Sequence, residues 1–441
     1  MLLDIEKLIY GGDGLARLPA DATGRGKAVF IPFALSGEKI EAALAEEKPG
    51  FARARIERIL HASPSRVPPP CPYFTRCGGC HYQHSSYEHQ LEIKKEILRE
   101  NLRRIAKLEL QCDIKVHPSP PWNYRNRSRL QVRTQPDFAL GYFKFASHEV
   151  LPVDQCPISS PLINRAITAV WNSARGTKAA DDIREVEFFA NEDDSRLLIQ
   201  LSCVPEARRA NLRAWAEELR ASMPEIEGVI AFRVDKKAAP ENFLTVGESQ
   251  LTYRTKTAAY RVSAGSFFQT NRFLTDELIE IVTANRSGEL ALDLYAGVGL
   301  FSTALASSFR HIVSVEMSQT SFNDLSYNLP SNGKAMHAAT ERFLVELGDQ
   351  GQARFGATLP QLRHTPELVV VDPPRSGLGD RVARQLAGLN APRITYVSCD
   401  PATLARDLVS LQAAGYGVEE VHLIDLFPQT YHLESVVNLS C

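Results

Sequence analysis

Arg393-Ile-Thr-Tyr-Val-Ser-Cys399-Asp400-Pro401-Ala-Thr-Leu-Ala-Arg-Asp-Leu408 reads as a strand that turns directly into a helix. Ile394 to Ser398 is a β-branched and aromatic run suited to a buried strand. Asp400 suits a helix N-cap, Pro401 costs nothing at the first helical position, and Gly415 suits the far end. Cys399 therefore falls at a strand-to-helix edge, where parallel α/β sheets bind ligands and where a helix N-terminus favours a thiolate. A lone cysteine is more often plain core. Its company further along the chain decides.

Glu289-Leu-Ala-Leu-Asp293-Leu-Tyr295-Ala-Gly297-Val-Gly299-Leu300 is a strand, a glycine turn and a helix start. The strand His311 to Glu316 follows, with an acid at its end that suits two ribose hydroxyls. Ser302 stands where a dinucleotide fingerprint needs its third glycine, so a cofactor with adenosine but no pyrophosphate fits better. S-adenosylmethionine (SAM) is such a molecule, and Asp293 is expected near its sulfonium. Glu367 to Asp372 is another strand, stiffened beyond its end by Pro373 and Pro374. Gly265-Ser-Phe-Phe-Gln269-Thr-Asn271 offers a polar group before a helix, and His432-Leu-Glu434-Ser435 precedes a last strand from Val436 to Leu439.

The N-terminal sixty residues read as five short strands broken by turns such as Gly11-Gly12-Asp13-Gly14, the pattern of an OB-like barrel. Arg53, Arg55 and Arg58 would give such a barrel phosphate contacts, although a solvated charged edge reads the same way. Cys71-Pro-Tyr-Phe-Thr-Arg-Cys77-Gly-Gly-Cys80-His81 then sets three cysteines among prolines and glycines, with Cys156 the best candidate for a fourth. Three close cysteines and one distant one suit an iron–sulfur cluster; zinc, with His81 as a possible ligand, is the rival. Glu88 to Lys107 predicts a helix with Leu91, Ile97, Leu98, Leu102 and Ile105 on one face. In Trp122 to Arg133, four arginines and two aromatics occur without an acid, which predicts RNA contact. From there to about residue 258 strands and helices alternate without nameable chemistry.

A chain of 441 residues predicts two to four domains, and 44% hydrophobic with 23% charged residues fits a soluble globular protein. No apolar run nears the roughly 18 residues of a membrane span. The alternating start Met1-Leu-Leu-Asp-Ile-Glu-Lys does not read as a signal peptide, so the cytoplasm is expected. Eight cysteines there favour ligands, nucleophiles or core over disulfides. A net charge of −2 argues against wholesale nucleic-acid binding and leaves room for local basic patches.

Asp372-Pro-Pro-Arg-Ser-Gly377, Ser398-Cys-Asp-Pro-Ala-Thr403 and the terminal His432-Leu-Glu-Ser435 resemble motifs of the SAM-dependent RNA uracil-C5 methyltransferases. The likeness runs over essentially the whole chain and is greatest to the bacterial branch that modifies 23S ribosomal RNA. It implies an α/β protein with an N-terminal OB-like TRAM β-barrel (1–62) and an α+β central domain bearing an iron–sulfur cluster (63–89 and 122–258). A C-terminal Rossmann-like SAM methyltransferase domain (90–121 and 259–441) completes the arrangement. By motif, Cys399 is the nucleophile and Glu434 the base; Gln269, Tyr295, Glu316 and Asp372 line the cofactor site beside Gly297 and Gly299. Cys71, Cys77, Cys80 and Cys156 would hold a [4Fe-4S] cluster. Leu300 departs from the family, where an asparagine often touches the cofactor, and Ala296 stands where cysteine is frequent. The resemblance implies 23S rRNA as partner, no membrane, and a monomer. A tRNA uracil-C5 methyltransferase and a non-catalytic iron–sulfur RNA-binding protein are the rival readings. A DNA cytosine-C5 methyltransferase fits less well, because its nucleophile usually follows proline and Cys399 follows Ser398.

Overall fold

Three large sheets divide the chain, and side-chain alternation accounts for each of them. The structure is a computed structural model describing residues 1–19, 26–235, 239–349 and 364–441. Leu2–Asp4, Lys7–Leu8, Asp13–Arg17, Ala28–Pro32, Lys39–Glu47 and Phe51–His61 form the first sheet. It has six strands where five were expected, because Leu2–Asp4 and Lys7–Leu8 are too short for alternation to separate. Leu3, Val29, Ile31, Ile40 and Ala52 share one core to which no described helix contributes. A sheet that packs only on itself must curl, as a barrel does.

The second sheet has the order Val150–Pro152, Ala139–Phe143, Arg127–Arg133, Ile183–Ala190, Leu197–Cys203, Ile226–Arg233, Glu241–Gly247. Helices Pro161–Ala174 and Arg209–Ser222 bury Ile163, Ile167, Val170, Leu212 and Leu219 in the same core as Val186, Phe188 and Ile199 of this sheet. The hairpin Gln250–Arg254 and Ala259–Ser263 leads onward to the third sheet.

That third sheet runs Gly333–His337, Phe309–Glu316, Gly288–Leu294, Leu368–Val371, Arg393–Ser398, Glu434–Ser440, Gly417–Ile424, Lys115–His117. Its first five strands are parallel. From Gly288–Leu294 the chain winds outward through Phe309–Glu316 and Gly333–His337, then returns to the other side with Leu368–Val371. The strand order reverses there, and the crevice beyond those two strand ends is where open α/β sheets bind ligands.

Residues from before the central sheet complete this last one. Lys115–His117 pairs in parallel with Gly417–Ile424, and helix Tyr87–Arg104 buries Ile93, Ile97, Leu98 and Leu102 among Leu292, Leu404 and Leu408. Each such side chain contributes about 1.5–3 kcal/mol when fully buried, well above the 0–1 kcal/mol or so of a surface ion pair. Two details depart from the helical pattern. Ile105 follows the last helical residue and is 39% exposed, whereas Lys94 is wholly buried. Among the described residues, no helix is long and apolar enough to cross a membrane.

Candidate active site

The strand Arg393–Ser398 pairs antiparallel with Glu434–Ser440, with Ser398 opposite Ser435. Cys399 follows Ser398 and Glu434 precedes Ser435, so the two flank the same end of this pair. The expected terminal strand begins two residues earlier than the sequence pattern indicated, so Glu434 is a strand residue rather than part of a preceding loop. Beyond Cys399, Asp400 accepts the N–H groups of Ala402 and Thr403 at 3.0 and 2.9 Å and caps helix Pro401–Ala413. Gly415, at φ 99°, lies just past its C-cap.

Both residues open into a cavity of about 650 Å³, with Gln269, Tyr295, Gly297, Glu316 and Asp372 also in its wall. Asp372 leaves the strand Leu368–Val371 and donates its N–H to the Leu294 carbonyl, 3.3 Å away, so the two central strand ends stay together. Tyr295 turns the chain at φ 65°, a conformation that costs a non-glycine residue about 1–3 kcal/mol and clusters at ligand sites. Glu316 accepts the N–H groups of Gly297 at 2.9 Å and Ser318 at 2.6 Å, which fixes the glycine turn and leaves lone pairs for hydroxyl donors.

Gly299, expected with the cofactor contacts, does not line the cavity. It begins helix Leu300–Leu305 at φ 93°, and a Cβ there would meet Leu325 at 2.9 Å. Its part is backbone shape. Asp293 is likewise outside the cavity wall. It accepts the Ser302 N–H at 3.0 Å and the Ser302 hydroxyl, so it anchors the turn from below. Leu300 and Ala296 both line the cavity, and neither side chain offers a polar atom.

Electrostatics reverse the simple helix-dipole expectation for Cys399. Burial pushes its thiol up to about 12, with Glu434 and Asp372 adding to the shift and Arg375 opposing it. Asp400 already occupies the helix N-terminus, so its positive end cannot also serve the thiolate. Burial raises Glu434 well above the usual carboxylate range, and the neighbouring Asp372 raises it further. Asp372 is itself raised by burial and by Asp293. Two carboxyls and a thiol thus share one acidic, poorly solvated cavity, which favours a bound cation.

Cys71, Cys77, Cys80 and Cys156 line a second cavity of about 300 Å³. The Gly78 N–H donates to Phe143 O at 3.0 Å, and the Cys156 N–H donates to the Asn164 side-chain oxygen at 2.8 Å, so both arms are tied to neighbouring structure. Burial pushes the Cys77 thiol up to about 11 and raises Cys71 and Cys80, with Cys156 adding to each. All four are free thiols. Among the described residues, no group of three or more His, Cys, Asp or Glu side chains is arranged to hold a metal ion. Neither a zinc site nor an iron–sulfur cluster is shown. His81, the possible zinc ligand, instead packs against Tyr431 with ring centroids 4.6 Å apart.

A model of the tRNA (uracil-5-)-methyltransferase family matches residues 86–441. The chain belongs to this family. A TRAM-domain model matches residues 1–56 of the methyltransferase. An uncharacterized RNA methyltransferase of Aquifex aeolicus is 33% identical over 442 residues, covering 99% of this chain and 97% of the relative. The 23S rRNA (uracil(1939)-C(5))-methyltransferase RlmD of Pseudomonas putida is 31% identical over 441 residues, covering 98% of this chain and 92% of the relative. The crystal structure of Pyrococcus abyssi tRNA (uracil-54, C5)-methyltransferase with S-adenosyl-L-homocysteine matches over 100% of both chains with a TM-score of 0.74. At 22% identity, that match speaks for the fold alone.

The arginine run also makes contacts within the protein that its sequence did not announce. Arg127 is half-buried over the Phe189 ring at 4.3 Å and donates to Ser266 O at 2.7 Å. Arg129 donates twice to Glu187 Oε2, at 3.0 and 2.6 Å. The missing acid arrives from the adjacent strand, in register with Arg129. Arg125 alone of the three lines both cavities. In the barrel, Arg58 pairs with Glu41 and Arg53 lies near Asp13 and Glu46, while Arg55 has no ion pair among the described residues.

Several site residues of the methyltransferase escaped the sequence reading. Arg375, Phe427 and His432 line both cavities with Arg125. Burial holds the His432 imidazole down to about 3, so it is neutral at physiological pH. Buried Asp407 accepts from Leu378 N–H at 2.7 Å and Tyr396 O–H at 2.8 Å, tying the loop after Pro374 to helix Pro401–Ala413. His432 lies inside a quoted motif and was within reach; Asp407, seven residues beyond the N-cap, carried no such signal.

Proposed function

We propose that the protein transfers a methyl group from SAM to carbon 5 of a uridine in RNA, through an adduct between Cys399 and carbon 6 that Glu434 resolves. The observation that carries this reading is the pairing of Ser398 with Ser435, whose chain neighbours Cys399 and Glu434 line one cavity with Asp372 and the glycine turn. Carbon 5 of uracil is too weak a nucleophile to act unaided. Addition of the Cys399 sulfur to carbon 6 moves electrons toward carbon 5, which then takes the methyl group. Glu434 accepts the proton left on carbon 5, and the returning electron pair expels Cys399. The cofactor, when bound, supplies an electrophilic methyl on a positive sulfonium, and that charge opposes the carboxylates that hold the Cys399 thiol up. Gln269, Tyr295, Gly297, Glu316 and Asp372 are proposed to hold it, since all line the same cavity. The base reacts flipped out of its stack, at a cost of a few kcal/mol.

The substrate is proposed to be 23S rRNA, supported by the named activity of the Pseudomonas putida relative over nearly the whole chain. The description of the matching family favours tRNA as the second reading. Mapping 5-methyluridine across rRNA and tRNA from a strain lacking the protein separates them. A 23S site should lose its methyl group and regain it with the wild-type protein but not with Cys399→Ala; loss in tRNA selects the second reading, and loss in neither refutes both.

Cys71, Cys77, Cys80 and Cys156 are proposed to hold a [4Fe-4S] cluster. Support comes from the donor set: four thiols, from two distant segments, around one cavity.

A further inference from the structure

A side chain from the N-terminal barrel reaches the backbone of Cys399. Tyr10 stands before the turn at Gly11 and Gly12, and its O–H donates to the backbone carbonyl of Cys399 at 3.2 Å. The surrounding backbone is pinned from other directions. The Ser435 hydroxyl donates to Ser398 O at 3.2 Å, and the Asp400 N–H donates to the Ser398 hydroxyl at 3.2 Å. Tyr10 holds the carbonyl of Cys399 itself. Its ring also meets Tyr431 edge-on at 5.5 Å, and Tyr431 is three residues before Glu434. One barrel side chain therefore touches the approaches to both the proposed nucleophile and the proposed base.

We propose that Tyr10 is a positioning residue: its hydrogen bond to the Cys399 carbonyl fixes the peptide that aims the Cys399 sulfur into the cavity. The inference rests on the reading of Cys399 as nucleophile for its effect on turnover, though not for its effect on the cysteine itself. With the hydroxyl gone, the peptide after Cys399 loses a restraint that no other described side chain supplies. The sulfur then samples orientations nearer solvent, where burial no longer holds it protonated. Rates of thiol alkylation follow the thiolate fraction and access, so they report this loosening directly.

The test compares wild type, Tyr10→Phe and Leu8→Ala as full chains. Leu8 is a buried barrel residue in the same core cluster and serves as a packing control. Iodoacetamide labelling of Cys399 is followed by peptide mass spectrometry, alongside methyl transfer to RNA from a strain lacking the protein. Tyr10→Phe should label Cys399 severalfold faster and lower kcat about tenfold, with KM for SAM unchanged. Leu8→Ala should lower the unfolding midpoint without speeding labelling. Equal labelling in Tyr10→Phe and wild type overturns the proposal, and so does equal acceleration in Leu8→Ala, which would make the contact mere packing. Turnover that survives Cys399→Ala would instead refute the nucleophile reading, and the labelling comparison would still decide whether Tyr10 restrains that peptide.

Discussion

The buried Lys94 ammonium donates to Asp425 Oδ1 at 2.6 Å and to Phe427 O at 2.9 Å, joining helix Tyr87–Arg104 to the segment that leads to Glu434. Gln90, one turn earlier, exchanges hydrogen bonds with Gln429 at 3.0 Å in both directions. Both carriers of the Lys94 pair are withdrawn from solvent. Removing one charge strands the other, which typically costs about 3–5 kcal/mol, whereas replacing both with apolar groups is often nearly neutral. Lys94→Met should therefore lower stability by about that amount in urea unfolding, and Lys94→Met with Asp425→Leu should recover most of it. A double variant no better than the single one would show that the charge itself is not what matters.

Glu434→Gln keeps shape and polarity but cannot take up a proton. Methyl transfer should still occur, and elimination should slow by about 10²–10⁴-fold, the usual worth of a general base. Protein should then accumulate on methylated RNA as a band that survives denaturing electrophoresis at short times. Cys399→Ala should give neither product nor band. Normal turnover by Glu434→Gln, or inactivity without a band, would move the base elsewhere.

The raised carboxyl of Glu434 sets a pH dependence whose sign follows from its role. A base works only when ionised, and burial with Asp372 beside it makes ionisation harder, while Arg375 opposes this. Elimination measured in single turnover should therefore rise with pH, along an acid limb well above the roughly 4.3 of a free glutamate. Removing the Asp372 charge as Asp372→Asn should move that limb to lower pH, even as it weakens the cofactor site. A limb at the free glutamate value in the wild type would contradict the packed, acidic cavity.

If the four cysteines hold a cluster, protein purified without oxygen should be brown and carry about four irons per chain. Cys156→Ser should bleach it. That variant should also lose stability, because Cys156 lies far along the chain from Cys80 and a shared cluster closes the long loop between them. Colourless, iron-free protein from such a preparation would leave the cavity as a thiol-lined gap only.

Local chemistry made much of the site legible. A cap, a proline and a β-branched run located Cys399, because each of those signals acts within a few residues. The glycine turn and Asp372 were readable for the same reason. What sequence could not supply was whatever crosses between segments. Nothing around Lys94 in the sequence signals its buried pair with Asp425, more than three hundred residues away. Asp293 was legible as a site acid, but not its bond to Ser302 of the next helix. Tyr10 sits hundreds of residues from Cys399, and no local pattern announces their contact.

The arginine run shows the same lesson in a form that experiment can settle. Arg127 stacks half-buried on Phe189, and Arg129 pairs with Glu187 while its side chain stays 57% exposed. Arg125 donates to Arg127 O at 2.9 Å and is the member of the run that lines both cavities, which places it to meet RNA at the site. Arg127→Ala should cost about 2 kcal/mol in stability through lost stacking and hydrogen bonding. Arg125→Ala should leave stability within about 0.5 kcal/mol, the usual range away from packed features. It should nonetheless weaken RNA binding and reduce the slope of log affinity against log salt by about one unit, as losing one phosphate contact does. An unchanged slope with Arg125→Ala would mean that its charge serves the cavities themselves and not the RNA backbone.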